Sequence, residues 1–473
     1  MSPQLVSILV LLAIFLIATV LPVHMGALAI VAAFVVGYFI FGGEEVADTI
    51  YSFFPGELFV VLVGVTYLFA IAKNNGTVDW LVSKAVSASG GRLAAIPWVM
   101  FAVTAAITAI GAVVPAAVAI IAPIGMQFAR RYNISPLLMG LMIINGATAG
   151  GFSPLSVFGV ITNTVVRESE LPGSPGFLWG ASIVVNVLLS VVVFFLFGGR
   201  RLLGSHQAVS MGDLGDSDAA STATGSTGPA VVGSGDGGSA GHHGHSHGRA
   251  DARASTKAVQ TTAVADDHHE GAVTTLDKDR SLTLAGLLLL VVAALGFDLD
   301  IGLVSITVAV LLSLLAPAGA KGAVGQIAWP TVLLICGIVT YVGLLQELET
   351  ETYLGDAVAA LGLPMLAALL ICYIGAIVSA FASTTGILGA LIPLAVPFLQ
   401  TGEIGAIGLI TALALSSSIV DSSPFSTSGA LVVANSREDE REHVFRTLMR
   451  WGFSMVALIP PLTWLIFVVP GWL

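Results

Sequence analysis

The chain has 473 residues, 56% of them hydrophobic and 10% charged, with a mean hydropathy of +0.95. A soluble domain carries about 25% charged residues, so this composition excludes a water-soluble globular protein and requires lipid as part of the solvent. The net charge of −11 carries no partner signal, because much of it falls in a polar linker and in outer loops.

The first half reads as five spans, at 5–22, 25–43, 55–73, 135–166 and 177–199, since a membrane-crossing helix needs roughly 20 apolar residues. The first run has no basic leader and no small-residue cleavage site, so it reads as a span and not as a signal peptide. Between the third and fourth spans, 96–130 is apolar but divided by Gly111-Ala-Val-Val-Pro115. That pattern predicts a re-entrant helical hairpin, whose non-helical tip needs protein or water around it. Residues 79–91 are amphipathic and predict a helix lying along the interface.

Residues 204–280 are rich in Gly, Ser, Ala, Asp and His and lack the bulk to bury a core, which predicts a disordered linker. Its His242, His243, His245 and His247, with His268 and His269, read first as an incidental His-rich tract. Weak Zn²⁺ or Ni²⁺ binding is the alternative.

The second half repeats the order of the first. Spans are expected at 281–298, 301–317, 331–347, 404–436 and 450–470, with an interfacial helix near 352–362 and a hairpin at 364–400. The second hairpin's tip is Ala382-Ser-Thr-Thr-Gly386, and Pro393 follows Pro123 by 270 residues. Cys336 and Cys372 sit within apolar runs and read as core-filling thiols. An odd span count per half makes the repeats inverted. The expectation is an all-α polytopic membrane protein of two inverted repeats, 1–203 and 281–473, each with five spans and one re-entrant hairpin. With the N-terminus outside and the linker cytoplasmic, 17 of the 18 Lys and Arg fall inside and only Arg167 falls outside. That is the asymmetry the positive-inside rule requires.

Spans 135–166 and 404–436 are broken by the same pattern. Ser153-Pro154-x-Ser156-x-x-Gly159 recurs as Ser423-Pro424-x-Ser426-x-x-Gly429, every matched position 270 residues on. Paired broken helices mark the binding site of a secondary transporter, because unwound carbonyls bind cations and half-helix N-termini bind anions. The substrate-binding candidates are Ser153, Pro154, Ser156, Ser383, Thr384, Thr385, Ser423, Pro424, Ser426 and Thr427. Each hydroxyl has a plain alternative as helix-packing glue. The cation-coupling candidates are Asp421, Asn145, Thr148, Asn163, Ser418 and Asn435. Asp421 is the one carboxylate within a broken span, where a charge marks function by default; capping the next half-helix is its plain role. Its counterpart is Gly151. With no Lys or Arg at membrane depth, an anion would be held by amides, hydroxyls and co-bound cations. No Walker motif, nucleophile elbow, zinc-protease motif or nucleic-acid motif is present, which points away from an enzyme and an ATP-driven pump and predicts no nucleic-acid partner.

Met25-Gly-Ala-Leu-Ala, Phe69-Ala-Ile-Ala-Lys-Asn-Asn-Gly-Thr-Val-Asp-Trp-Leu-Val82, Ile96-Pro-Trp-Val-Met-Phe-Ala, Ile134-Ser-Pro-Leu-Leu-Met-Gly-Leu-Met and Gly151-Phe-Ser-Pro resemble the malonate/dicarboxylate carrier (MatC-type) family. More distantly, the repeats resemble the divalent-anion:sodium symporters of the ion-transporter superfamily. That resemblance implies an elevator mechanism, a homodimer, and a substrate site between hairpin tips and broken helices. Those symporters carry Ser-Asn-Thr at each tip; here the second tip reads Ser383-Thr384-Thr385 and the first reads Val113-Val114-Pro115.

The expectation is therefore a multi-pass carrier of the bacterial-type cytoplasmic membrane. It would move malonate or a C4-dicarboxylate with Na⁺ or H⁺ and need no cofactor beyond the coupling ion. The rival readings are a cation/proton antiporter without organic substrate and a non-transporting scaffold whose working part is the His-rich linker.

Overall fold

A computed structural model describes residues 2–42, 46–87, 92–203, 276–297, 299–350, 353, 363–381, 384–400 and 404–471. The expected interfacial helix at 352–362 apart from Tyr353, all but the last few residues of the linker, and Ser383 lie outside the described residues. Every regular element among the described residues is a helix.

The first half contains α1 (Pro3–Val20), α2 (Met25–Phe41), α3 (Val46–Ser52), α4 (Gly56–Asn74), α5 (Thr77–Ser87), α6 (Ala95–Ala109), α7 (Val114–Arg131), α8 (Pro136–Gly151), α9 (Val157–Glu168) and α10 (Pro175–Leu196). The second contains α11 (Lys278–Gly296), α12 (Ile301–Leu315), α13 (Pro317–Ala320), α14 (Trp329–Glu347), α15 (Pro364–Phe381), α16 (Thr384–Gln400), α17 (Ala406–Ile419), α18 (Thr427–Ala434) and α19 (Glu438–Thr463). Local chemistry sets many of the starts. Proline occupies the first turn of α1, α7, α8, α10 and α14, where its missing N–H costs nothing. Ser2, Ser135, Asp277 and Asp300 cap α1, α8, α11 and α12 with their side chains.

Five helical stretches are long and apolar enough to cross a membrane: Gly56–Asn74, Pro175–Leu196, Trp329–Glu347, Ala406–Ala434 and Glu438–Val468; six further apolar helices are shorter. Leu12 and Leu16 of α1, Leu188 and Leu196 of α10, and Leu303 and Leu314 of α12 stand exposed. Such faces suit acyl chains and not water. This helix set is compatible with the multi-pass membrane character read from the composition.

Two differences from the sequence reading concern one helix end and two short helices. The last span, expected at 450–470, begins as a helix at Glu438. Its added turns are charged, and Glu438, Asp439 and Glu440 favour the positive helix N-terminus. The short helices α3 and α13 were not anticipated, being too brief to show a period.

The order of elements recurs: α7, α8 and α9 begin at 114, 136 and 157, and α16, α17 and α18 begin at 384, 406 and 427. The packing exchanges the halves in the same way, with α2 crossing α14 and α4 crossing α12. Glycine makes both crossings close. A Cβ on Gly26 would lie 2.1 Å from the Leu333 carbonyl oxygen, and one on Gly64 would lie 2.3 Å from Ser305 Oγ. This is the small-residue route to helix contact in lipid, where no hydrophobic force drives helices together.

The centre of the bundle is formed by α8 and α17. Every residue of α8 from Leu137 to Gly151 is buried, and so is every residue of α17 from Gly408 to Ile419. The hairpin arms α6 and α7, with α10, pack on α8; α15, α16 and α19 pack on α17. The half-helices beyond the breaks cross over: α9 lies against α16, and α18 against α7.

Candidate functional site

The duplicated motif has a physical reason. After α8 ends at Gly151, Ser153 Oγ accepts a hydrogen bond from Leu155 N at 3.3 Å, and Ser156 N donates to Ser153 O at 2.9 Å. Pro154 sits inside this turn and Ser156 is the N-cap residue of α9. In the second half, Ser423 Oγ accepts from Phe425 N at 3.3 Å, Ser426 N donates to Ser423 O at 3.1 Å, and Ser426 is the N-cap residue of α18. The glycine three positions later lets the new helix fold back on the turn. A Cβ on Gly159 would lie 2.0 Å from Ser153 O, and one on Gly429 would lie 1.9 Å from Ser423 O. Each motif is thus a tight turn with serines at both corners, which stops one helix and starts another within the protein interior.

The hairpin tips meet these breaks. Ser153 Oγ donates to Ala109 O at 2.8 Å, tying the first break to the end of α6. The first tip turns on Gly111, whose φ of +128° suits glycine and whose Cβ would lie 2.1 Å from Val65 Cγ1. Neither α7 nor α9 has a side-chain cap, so their first-turn amide groups are not taken up by a capping hydroxyl. Ser156 Oγ is buried and has no hydrogen-bond partner among the described residues.

The second break has a different chemistry. A single 3₁₀ turn, Val420–Ser422, carries Asp421, which is 4% exposed. This turn packs against α8, α15 and α19. Asp421 Oδ2 accepts from Ser428 Oγ at 2.7 Å, and the Asp421 carbonyl accepts from Ser426 Oγ. Ser426 Oγ also accepts from Gly429 N at 3.2 Å, capping α18. Asp421 forms no ion pair with a described Lys or Arg. A buried carboxylate without a basic partner requires a cation or a proton for compensation.

Residues 1–151 match the family model for the dicarboxylate carrier protein MatC N-terminus, and residues 288–472 match the citrate transporter model. Together the two matches support a likeness to the MatC-type dicarboxylate carriers. Both families are transporters, and the matches indicate a carrier of the dicarboxylate and citrate type. A search of curated proteins returns no match. The first break falls just beyond the N-terminal match, while the second lies inside the citrate-transporter match.

The carrier's other sequence candidates divide. Thr384 and Thr385 are buried at the start of α16, where Thr384 Oγ1 and Ser379 Oγ share a hydrogen bond of 2.8 Å across the second hairpin. Thr427 is exposed on the first turn of α18. Asn145 donates to Ser190 Oγ at 3.1 Å and ties α8 to α10. Thr148 Oγ1 and Ser418 Oγ donate back to the carbonyls of Ile144 and Leu415. Asn163 lines a water-sized cavity with Thr162 and Thr411. Asn435 lies at the far end of α18, where its carbonyl accepts from Arg130. Ser428 was missed by sequence reading; it stands seven residues beyond Asp421, across a turn whose shape no periodicity reveals.

Larger cavities lie at the ends of the helices. One of about 250 Å³ is lined by Phe53, Pro55, Glu168, Val339 and Gln346, among others. Beside it, Arg167 of α9 pairs with Glu57 of α4. Partial burial raises the Glu168 carboxyl above its ordinary value of 4.5; Glu57 adds to the rise and Arg167 opposes it. Another cavity, of about 290 Å³, lies among Arg130, Arg201 and Arg437. Among the described residues, no group of three His, Cys, Asp or Glu is placed to hold a metal ion. The His242–His247 tract lies outside them.

Proposed function

We propose that the chain is a secondary active transporter of a small dicarboxylate, malonate or a C4 acid, coupled to Na⁺ or H⁺. The observation that carries this reading is the unequal chemistry of two otherwise equivalent breaks. The first offers an unpartnered buried hydroxyl, Ser156 Oγ, and two half-helix N-termini without side-chain caps. That is an anion's environment. The second offers the Asp421 carboxylate, the environment of a cation or a proton. Substrate contacts are assigned to Ser153, Ser156, Thr384 and Thr385, and the coupling cation to Asp421 with Ser428 and the carbonyls of the second turn.

The recurring helix order and the exchange of partners between halves support two antiparallel copies in the membrane. Movement of the hairpins and broken helices against α2, α4, α12 and α14 is then the proposed route of alternating access. A homodimer, an outside N-terminus and a bacterial-type cytoplasmic membrane complete the reading. Uptake into proteoliposomes tests it, using a panel of radiolabelled acids under separate Na⁺ and pH gradients. Accumulation of a C3 or C4 dicarboxylate under one of these gradients is the expected result. No accumulation of any acid under either gradient sinks the proposal.

A cation/proton antiporter without organic substrate is the second reading, favoured by Asp421. Dicarboxylate discriminates the two: it raises the unfolding temperature of the purified carrier under the first reading and leaves it unchanged under the second.

A further inference from the structure

The cavity of about 290 Å³ joins the two halves at one end of the bundle. It is framed by the end of α7, the start of α8, the end of α10 and the start of α19. Its lining holds Arg130, Arg201 and Arg437 against one carboxylate, Glu440. Two of the three guanidinium groups are partly engaged. Arg130 donates to the Asn435 carbonyl at 2.9 Å, and Arg437 pairs with Asp439 at 3.1 Å, both on the surface. The side chain of Arg201 has neither an ion pair nor a hydrogen bond among the described residues. Ser135 and Ser436 stand on the same wall, Ser135 Oγ capping α8 and Ser436 Oγ donating to the Val432 carbonyl, so the arginines are the donors that the cavity offers.

Depth matters as much as charge. Arg201 follows the apolar helix α10 by a few residues, and Phe197 on the lining packs edge-on against Trp451. The cavity therefore stands where an apolar helix surface gives way to polar termini, at headgroup level. Convergent arginines, apolar flanks and this level together fit a phosphate group. Neither break contributes to the lining.

The geometry points to a binding site for a phosphate-bearing anion in this cavity, held by Arg201 with Arg130 and Arg437, distinct from the transport site and bridging the two halves. At headgroup level, its expected source is an anionic phospholipid; free inorganic phosphate shares the chemistry.

The test follows the thermal unfolding midpoint of the full-length protein in neutral detergent. The probes are short-chain phosphatidylglycerol, phosphatidylcholine of equal chain length, inorganic phosphate and malonate. Phosphatidylglycerol should raise the midpoint saturably, and Arg201→Gln should weaken its apparent affinity about ten-fold, as loss of a charged hydrogen bond does. Arg446→Gln, whose residue pairs with Glu442 outside the cavity, should leave that affinity unchanged. An Arg201-dependent rise with inorganic phosphate as well supports the site and makes its source soluble. Should Arg201→Gln fail to fold, Arg437→Gln serves in its place. Equal stabilisation by phosphatidylcholine, no stabilisation by any phosphate-bearing probe, or a shift that Arg201→Gln leaves intact overturns the proposal. So does an Arg201-dependent rise with malonate alone, which would assign the cavity to the substrate's path. Because the readout is phosphate binding and not uptake, its failure leaves the transport reading standing.

Discussion

The two breaks share a backbone and differ in what fills it. Both use serine to close a turn, proline within it, serine to begin the next helix and glycine to let that helix fold back. Yet the first leaves Ser156 Oγ without a partner, while the second has Ser426 Oγ bonded to two carbonyls and an amide. Gly151 in one half stands where Asp421 stands in the other. The residues that shape the interruption are the same in both. The side chains that face its interior differ, which is the difference that the proposed division between an anion and a cation rests on.

The largest expected effect tests the shared part. Gly159→Ala and Gly429→Ala each force a methyl group to within 2.0 Å and 1.9 Å of a carbonyl oxygen. Each should destabilise the protein by about 3 kcal/mol, the upper range for overpacking, seen as a fall in unfolding temperature and in detergent-stable yield. If only one variant suffers, the two turns are not equivalent.

The next effects test the divergent part. Ser426→Ala removes a helix cap and should cost about 1–2 kcal/mol. Ser156→Ala removes a buried hydroxyl that bonds nothing, so stability should hold or rise slightly. Under the proposed substrate role, its KM for the dicarboxylate should nonetheless increase about five-fold. Matching losses of stability in both variants would erase the contrast. Ser428→Ala should weaken coupling without loss of substrate binding, since its hydroxyl donates to the Asp421 carboxylate.

The smallest effect lies at the bundle's edge. Because the Glu168 carboxyl is raised in the folded state, folding favours its protonated form. Its contribution is present at pH below its ordinary value of 4.5 and is lost as pH rises through the raised value. Glu168→Gln should flatten that slope in a stability series across the acid range. An unchanged slope assigns the dependence to other carboxylates.

Much of this fold was written in the sequence, because membrane helices need long apolar runs and every interruption of such a run shows. The glycines and prolines at 111–115 and 151–154 marked a tip and a break directly. Less legible were features that depend on how distant segments meet. Asn145 reads as a ligand beside a break, and nothing in the linear pattern shows that its amide nitrogen also donates to Ser190 and ties α8 to α10. Ser428 drew no reading of its own, and only the turn between brings it to Asp421. The arginine-lined cavity gathers residues from four separate helix ends, and a linear pattern carries no sign of that meeting.

The most direct test of the division between the breaks is a paired transport assay of Asp421→Asn in proteoliposomes. One arm measures dicarboxylate exchange between preloaded vesicles and medium without a gradient; the other measures accumulation driven by Na⁺ or pH. The account predicts that exchange persists while gradient-driven accumulation falls to background. Full accumulation by Asp421→Asn, or the loss of both activities in a folded variant, would contradict it.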